Sequence, residues 1–195
     1  MILTFYSFAR SLCNGVFNPI YRFEVVGKEN FPKEGGVLLV SNHINNLDPI
    51  AMGIAAPRPV HYMAKAELFE IPVIGKLATM VHAFPVKRGL SDREALRKGL
   101  SVLKEGNVLG LFPEGTRSKT GEIGKGLAGA GFFALRTDAI VMPCAILGPY
   151  KAFNRLKIVF GKPIDLTQAR LVKKSPEEIT DLFMDVIRKL INEHR

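Results

Sequence analysis

Gly35-Gly36-Val37-Leu38-Leu39-Val40-Ser41-Asn42-His43 is the stretch on which the reading of this chain turns. Two glycines open it, and Val37–Val40 is an unbroken run of valine and leucine. A run of that length and composition reads as a strand buried on both faces, the kind found in parallel sheets covered by helices. It leads directly into Asn42-His43-Ile44-Asn45-Asn46-Leu47-Asp48. The carboxyl ends of such strands are where α/β folds place their sites.

Outward from this strand, similar runs recur at Val60–Ala64, Ala83–Val86, Val108–Phe112, Ile140–Leu147 and Lys157–Phe160, while Tyr21–Val26 alternates weakly. Helical patterns lie between them. Ser91-Asp92-Arg93-Glu94 reads as a capping box ahead of Leu96, Leu100 and Leu103, and Gly106 stops that helix. Ser175-Pro176-Glu177-Glu178 reads as a second box, leading into Ile179, Leu182, Phe183, Val186, Ile187, Leu190 and Ile191. Gly126–Thr137 reads as a third helix, with Gly126 and Gly129 permitting close packing. The alternation predicts a single α/β domain, with a mixed or mostly parallel sheet flanked by helices. A chain of 195 residues is long enough for one substantial core.

Met1–Phe17 is mostly apolar, with Ile2, Phe5, Phe8 or Ala9, Leu12 and Val16 on one helical face. The uncharged stretch before Arg10 is too short to span a bilayer, which takes roughly 20 apolar residues. No basic segment precedes it, as one would in a signal peptide. A helix lying among lipid headgroups and a helix capping the core both fit, and the thin polar face on a basic chain favours the first. Residues 1–18 are therefore expected to form an apolar interfacial helix, and residues 19–195 the α/β domain.

Net charge is +9, which favours anionic partners, either nucleic acid or an acidic membrane surface. The absence of Trp and an aromatic fraction of 9% weigh against a base-stacking nucleic-acid platform. No zinc-finger spacing of Cys and His is present. Cys13 and Cys144 make no disulfide framework and suit a reducing, cytoplasmic setting. Cys144 lies in an apolar run and reads as a small buried hydrophobe.

His43 offers a group that accepts a proton near neutral pH. Asp48, five residues on, can reach back over a turn to fix its tautomer and stabilise the imidazolium. His43 would then deprotonate a hydroxyl for attack on an activated carbonyl. A purely structural His–Asp bond, or two ligands of a metal site, would give the same spacing. The stretch Phe112-Pro113-Glu114-Gly115-Thr116-Arg117-Ser118 reads as a tight loop. Arg117 presents a planar fork suited to phosphate, and Glu114 could bond a substrate hydroxyl or hold Arg117 in an ordinary loop ion pair. Lys125-Gly126, opening a helix, could aim N–H groups at an anion. Arg88 is a second phosphate contact or a solvated arginine before a turn. His61, His82 and His194 have no partner motif and read as structural or surface residues.

Together these segments resemble the glycerolipid acyltransferase family, particularly its bacterial 1-acyl-sn-glycerol-3-phosphate acyltransferases. Asn42, His43 and Asp48 match its first motif, and Phe112–Ser118 match the third at every position. Lys65 through Phe84-Pro85-Val86-Lys87-Arg88 resembles the second block, and Val141-Met142-Pro143-Cys144 the fourth. Pro85 and Lys87 depart from the more usual isoleucine and aspartate-like residues, and room for one helix, not two, precedes the first strand.

The resemblance implies transfer of a fatty acyl group from acyl-CoA or acyl-carrier protein to the sn-2 hydroxyl of lysophosphatidic acid, giving phosphatidic acid. It implies His43 as base and Asp48 as its orienter. Arg117 and Arg88 would bind phosphate, Glu114 would help seat the glycerol, and Gly115, Thr116, Lys65 and Lys125 would complete the substrate site. No cofactor, metal or nucleic acid is implied. The expected location is the cytoplasmic face of the cell membrane, on an anionic surface. Acylation of glycerol 3-phosphate or another lysophospholipid, or a non-catalytic membrane-binding role, are the alternatives.

Overall fold

The computed structural model describes residues 2–87, 92–118 and 120–195. Its elements, in order, are α1 (Ile2–Tyr21), β1 (Glu24–Val26), β2 (Val37–Ser41), α2 (Asp48–Ala55), β3 (Val60–Lys65), α3 (Pro72–Met80), β4 (Ala83–Val86), α4 (Arg93–Lys104), β5 (Val108–Leu111), α5 (Gly129–Arg136), β6 (Ile140–Leu147), β7 (Lys157–Phe160), α6 (Thr167–Leu171) and α7 (Pro176–His194). The strands form one sheet in the order β1-β7-β6-β2-β5-β3-β4. From β6 to β4 all pairs are parallel; β7 turns back antiparallel to β6 and carries β1 parallel to itself. The mixed, mostly parallel sheet expected from the alternation of elements is what the chain forms.

β2 is the central strand, and Val37–Val40 are all 0% exposed. Leu38 and Val40 point to the face covered by α4, α5 and α7, among Val102, Phe133, Ile179 and Phe183. Val37 and Leu39 point the other way, toward Ala51, Met52 and Ala55 of α2 and the edge-to-face pair Phe31 and Phe160. A strand covered on both faces has no polar positions to alternate with, which explains the unbroken run. Burying one Val or Leu is worth about 1.5–3 kcal/mol. The strand that carries the site is therefore anchored firmly in the core.

Several boundaries differ from expectation. Tyr21 closes α1 instead of opening a strand, and the helix continues through Pro19, past the boundary expected at residue 18. Pro19, in the last turn, lacks the N–H that would donate to the Gly15 carbonyl, so the helix runs past it with one backbone bond fewer. Asp92, not Ser91, caps α4, accepting the Ala95 N–H at 3.0 Å; Ser91 lies outside the described residues. The box at Ser175 and Glu178 forms as expected.

The helix expected from Gly126 begins only at Gly129, so Lys125-Gly126 does not open it. Gly126 is tightly packed, since a Cβ there would collide with Thr180 and Met184 of α7. Gly129 has open space around it, and the second close approach is at Gly131, against the Pro176 carbonyl.

Candidate active site

At the end of β2 the backbone leaves the sheet and a side chain continues the ladder. Asn42 donates its amide N–H to the Ile146 carbonyl at 2.9 Å, and its Oδ1 accepts the Ile146 N–H at 2.8 Å. These two bonds satisfy β6 while the main chain turns outward. His43 is thereby delivered to the carboxyl end of the parallel strands.

His43 and Asp48 meet, with Nδ1 2.7 Å from Oδ2. The same oxygen accepts the Ile44 and Asn45 N–H groups, both at 2.7 Å, and Oδ1 accepts the Tyr150 hydroxyl at 2.6 Å. Asp48 is 0% exposed, and a buried carboxylate is tolerable when it is hydrogen-bonded this fully. Because Oδ2 is acting as an acceptor, Nδ1 carries the proton, leaving Nε2 as the basic nitrogen. The imidazole stacks on Phe112 at 4.2 Å between centroids, and its side chain is 13% exposed, so Nε2 can be reached.

Asp48 does not sit on a free turn. It is the first residue of α2, and Pro49 follows in the first helical turn, where its missing N–H is not needed. The helix amino terminus also favours a carboxylate there. Among the described residues no group of three or more His, Cys, Asp or Glu could hold a metal ion, so the pair has no third ligand beside it.

Glu114 joins the two motifs. Its Oε1 accepts the His43 N–H at 3.0 Å and its Oε2 accepts the Gly124 N–H at 3.0 Å. The His43 carbonyl in turn accepts the Ser118 N–H at 2.8 Å. Among the described residues Glu114 makes no ion pair with Arg117. Gly115 turns the loop with φ of 66°, and a Cβ there would also meet Leu127 at 2.5 Å.

The cations are arranged differently. Arg117 is exposed beside Thr116 and is brought near His43 by the Ser118 bond. Lys125 is exposed immediately after Gly124. Lys65 is exposed at the carboxyl end of β3, and β5 alone separates that strand from β2. None of the three forms an ion pair among the described residues. Arg88 lies outside the described residues. Lys87, which sequence reasoning did not select, lines a cavity with Gly115 and Leu127.

Two cavities meet at Phe112 and Met63. One of about 230 Å³ lies beneath α1, bounded by Tyr6, Ala9, Cys13 and Ile54. The other, of about 440 Å³, opens toward α4 and α5 beside Leu96 and Leu127. α1 is seated over the first cavity by Tyr6, whose hydroxyl accepts the Val60 N–H at 3.1 Å, and by Arg10, which donates to the Ile54 carbonyl at 2.9 Å. Its opposite side leaves Phe8 64%, Leu12 58% and Val16 50% exposed. α3 packs beside it with Val73, Ile74 and Leu77 outward. No helix among the described residues is long and apolar enough to cross a membrane.

His61 and His82 play a structural part, as expected. Their rings stack at 4.6 Å, and Tyr6 stacks on His82 at 5.0 Å. Burial lowers both imidazoles, His61 to about 4. Cys144 is fully buried, and burial pushes its thiol up to about 12.

An imidazole held by a buried carboxylate thus lies at the open end of a parallel sheet, beside a turn bearing an exposed arginine. The acyltransferase family model matches residues 22–147. The chain belongs to the acyltransferase family. It is 34% identical over 147 residues to a 1-acyl-sn-glycerol-3-phosphate acyltransferase of Bacillus subtilis, covering 72% of this chain and 73% of that one. A chloroplastic enzyme of the same name from Arabidopsis thaliana is 30% identical over 164 residues, covering 77% of this chain and 46% of the plant protein. The fold is shared with the crystal structure of the 1-acyl-sn-glycerophosphate acyltransferase of Thermotoga maritima. The TM-score is 0.76 at 22% identity, covering 100% of this chain and 80% of that one.

Proposed function

We propose that this chain is a 1-acyl-sn-glycerol-3-phosphate acyltransferase, converting lysophosphatidic acid and a fatty acyl thioester to phosphatidic acid. The observation that carries the reading is the His43–Asp48 pair joined through Glu114 to the loop that presents Arg117. The names of the relatives support the same acceptor.

In this reading Nε2 of His43 takes the proton of the sn-2 hydroxyl as its oxygen attacks the thioester carbonyl carbon. A C–O bond forms and the carbonyl electron pair moves onto oxygen. The tetrahedral intermediate collapses, the C–S bond breaks, and the thiolate leaves with the proton from the imidazolium. Asp48 holds the ring in the required tautomer and stabilises its positive form. Arg117, Lys65 and Lys125, with Arg88, supply positive charge for the acceptor's phosphate. The cavities that meet at Phe112 offer apolar space for a fatty chain within reach of His43.

The acceptor and product are amphiphiles. The outward apolar faces of α1 and α3, on a chain of net charge +9, suit a peripheral seat on an anionic membrane, at its cytoplasmic face. The donor is acyl-CoA or acyl-carrier protein, and no other cofactor enters the chemistry.

The test is acyl transfer by purified protein on anionic vesicles, offering lysophosphatidic acid with either donor and comparing wild type with His43→Ala. Phosphatidic acid formed by the wild type and reduced about 100-fold or more in the variant is the expected result. Equal turnover by the two proteins would refute His43 as the base. Product only with glycerol 3-phosphate or another lysophospholipid would reassign the acceptor.

A further inference from the structure

Tyr150 reaches the pair from the loop after β6, 102 residues from Asp48 in sequence. Its hydroxyl donates at 2.6 Å to Oδ1, the carboxylate oxygen that does not face His43. Its ring stands edge-on to Tyr21, with centroids 5.5 Å apart and planes at 75°, and Tyr21 is the last residue of α1. Two backbone bonds fasten the same loop to that helix end: Phe153 N–H to the Ile20 carbonyl at 2.6 Å, and Leu156 N–H to the Tyr21 carbonyl at 2.8 Å.

We propose that Tyr150 is a positioning residue for the transfer reaction: its hydroxyl sets how strongly Asp48 holds the Nδ1 proton of His43, and its loop fastens that setting to the end of α1. The proposal rests on the reading of His43 as base. The physical argument concerns how the carboxylate's charge is shared. Asp48 has three fixed partners on Oδ2, namely the ring it orients and two main-chain N–H groups. The phenol on Oδ1 is the remaining donor among the described residues. A donor on a carboxylate stabilises its charge and weakens its pull on a neighbouring proton. It also prevents the carboxylate from rotating away from the imidazole.

The other ionisable groups around the pair leave this role to Tyr150. Tyr62 and Cys144 approach Asp48, and burial keeps both protonated. Burial first, and then Asp48 itself, hold the Tyr150 phenol well above its ordinary range, so it remains a donor at every working pH. On the far side of His43, Glu114 bonds the main chain and Phe112 is apolar.

Tyr150→Phe keeps the ring against Tyr21 and removes only the hydroxyl. The expected result is a fall in kcat of about tenfold, with KM for the acceptor within about twofold, in line with loss of one hydrogen bond to a charged group. The acid limb of the kcat profile should move to higher pH, because a less neutralised carboxylate favours the imidazolium. Ortho-fluorotyrosine at position 150 is nearly isosteric and a stronger donor, so it should move the limb to lower pH. Opposite shifts in the two variants support the proposal. A lower melting temperature with no movement of the limb in either variant would make the hydroxyl structural and overturn it. His43→Ala in the same assay separates the two claims. Activity retained there overturns the base and the proposal together, whereas activity lost there with Tyr150→Phe unchanged overturns the Tyr150 role alone.

Discussion

The residues that would move the proton and those that would hold the phosphate lie close together but are built in opposite ways. The His43–Asp48 pair is over-determined, with Asp48 buried under four donors and the partly exposed His43 bonded on both sides of its main chain. Arg117, Lys125 and Lys65 are exposed, and none forms an ion pair among the described residues. The difference follows from what each part must do. A base has to meet a particular hydroxyl within a hydrogen-bond length, and small displacements are costly. A phosphate can be captured by long cationic side chains that reorganise around it, and water must reach that site for the anion to enter and leave.

If this contrast is right, the largest loss should come from disturbing the His43–Asp48 pair. Asp48→Asn presents an amide where three N–H donors and a phenol expect oxygen, and it permits the wrong tautomer of His43. A kcat loss of about a thousandfold is expected in the vesicle assay, with KM for the acceptor little changed. Arg117→Ala should show the opposite pattern. KM for lysophosphatidic acid should rise about tenfold, kcat should stay within about twofold, and added salt should inhibit the variant less than the wild type. A kcat defect comparable to that of Asp48→Asn would break the comparison by making Arg117 part of the rigid set.

Glu114→Gln sharpens the boundary between the two regions. One of the two N–H groups that Glu114 accepts would face an amide NH₂ instead. The expected cost is about 1–3 kcal/mol of stability, read from denaturant melts, with a kcat loss smaller than that of Asp48→Asn. The smallest effect should lie away from both regions. His61 and His82 titrate below the unfolded value of 6.5, His61 at about 4, with burial the first cause for each. Acid therefore favours the unfolded chain: their contribution is fully present above about pH 6.5 and is lost as pH falls toward about 4. The melting temperature of His61→Phe should fall less steeply over that window than that of the wild type.

Much of the fold was legible because a doubly covered strand leaves an unmistakable pattern. Val37–Val40 and Ile140–Leu147 became strands where their apolar runs predicted, and Ala83–Val86 did so at the edge of the sheet, with Pro85 exposed. α2 escaped notice because it is short and buried, with Ala51, Met52, Gly53 and Ala55 leaving little periodic contrast. α3 escaped because its large apolar residues face outward, so there is no polar side to define a period. The pairing of His43 with Asp48 was local and could be read from spacing. The partners that fix the pair could not. Asn42 bonds Ile146 and Asp48 bonds Tyr150 across separations of 104 and 102 residues, distances over which a sequence alone gives no register. Gly124 was invisible for another reason: the segment reads as the approach to a helix, but its main chain is not yet helical and turns one N–H toward Glu114.

The Glu114 bridge has a consequence for inheritance and design. It ties the main chain of His43 to the side chain of a residue 71 positions away, so the two motifs are one object stored at two addresses in the chain. A graft that transfers Phe112–Ser118 into another scaffold would carry a carboxylate shaped for a partner left behind. A homologue that loses one motif has no reason to retain the other. Substitutions at either address are therefore best made, and their effects best judged, as changes to a single part.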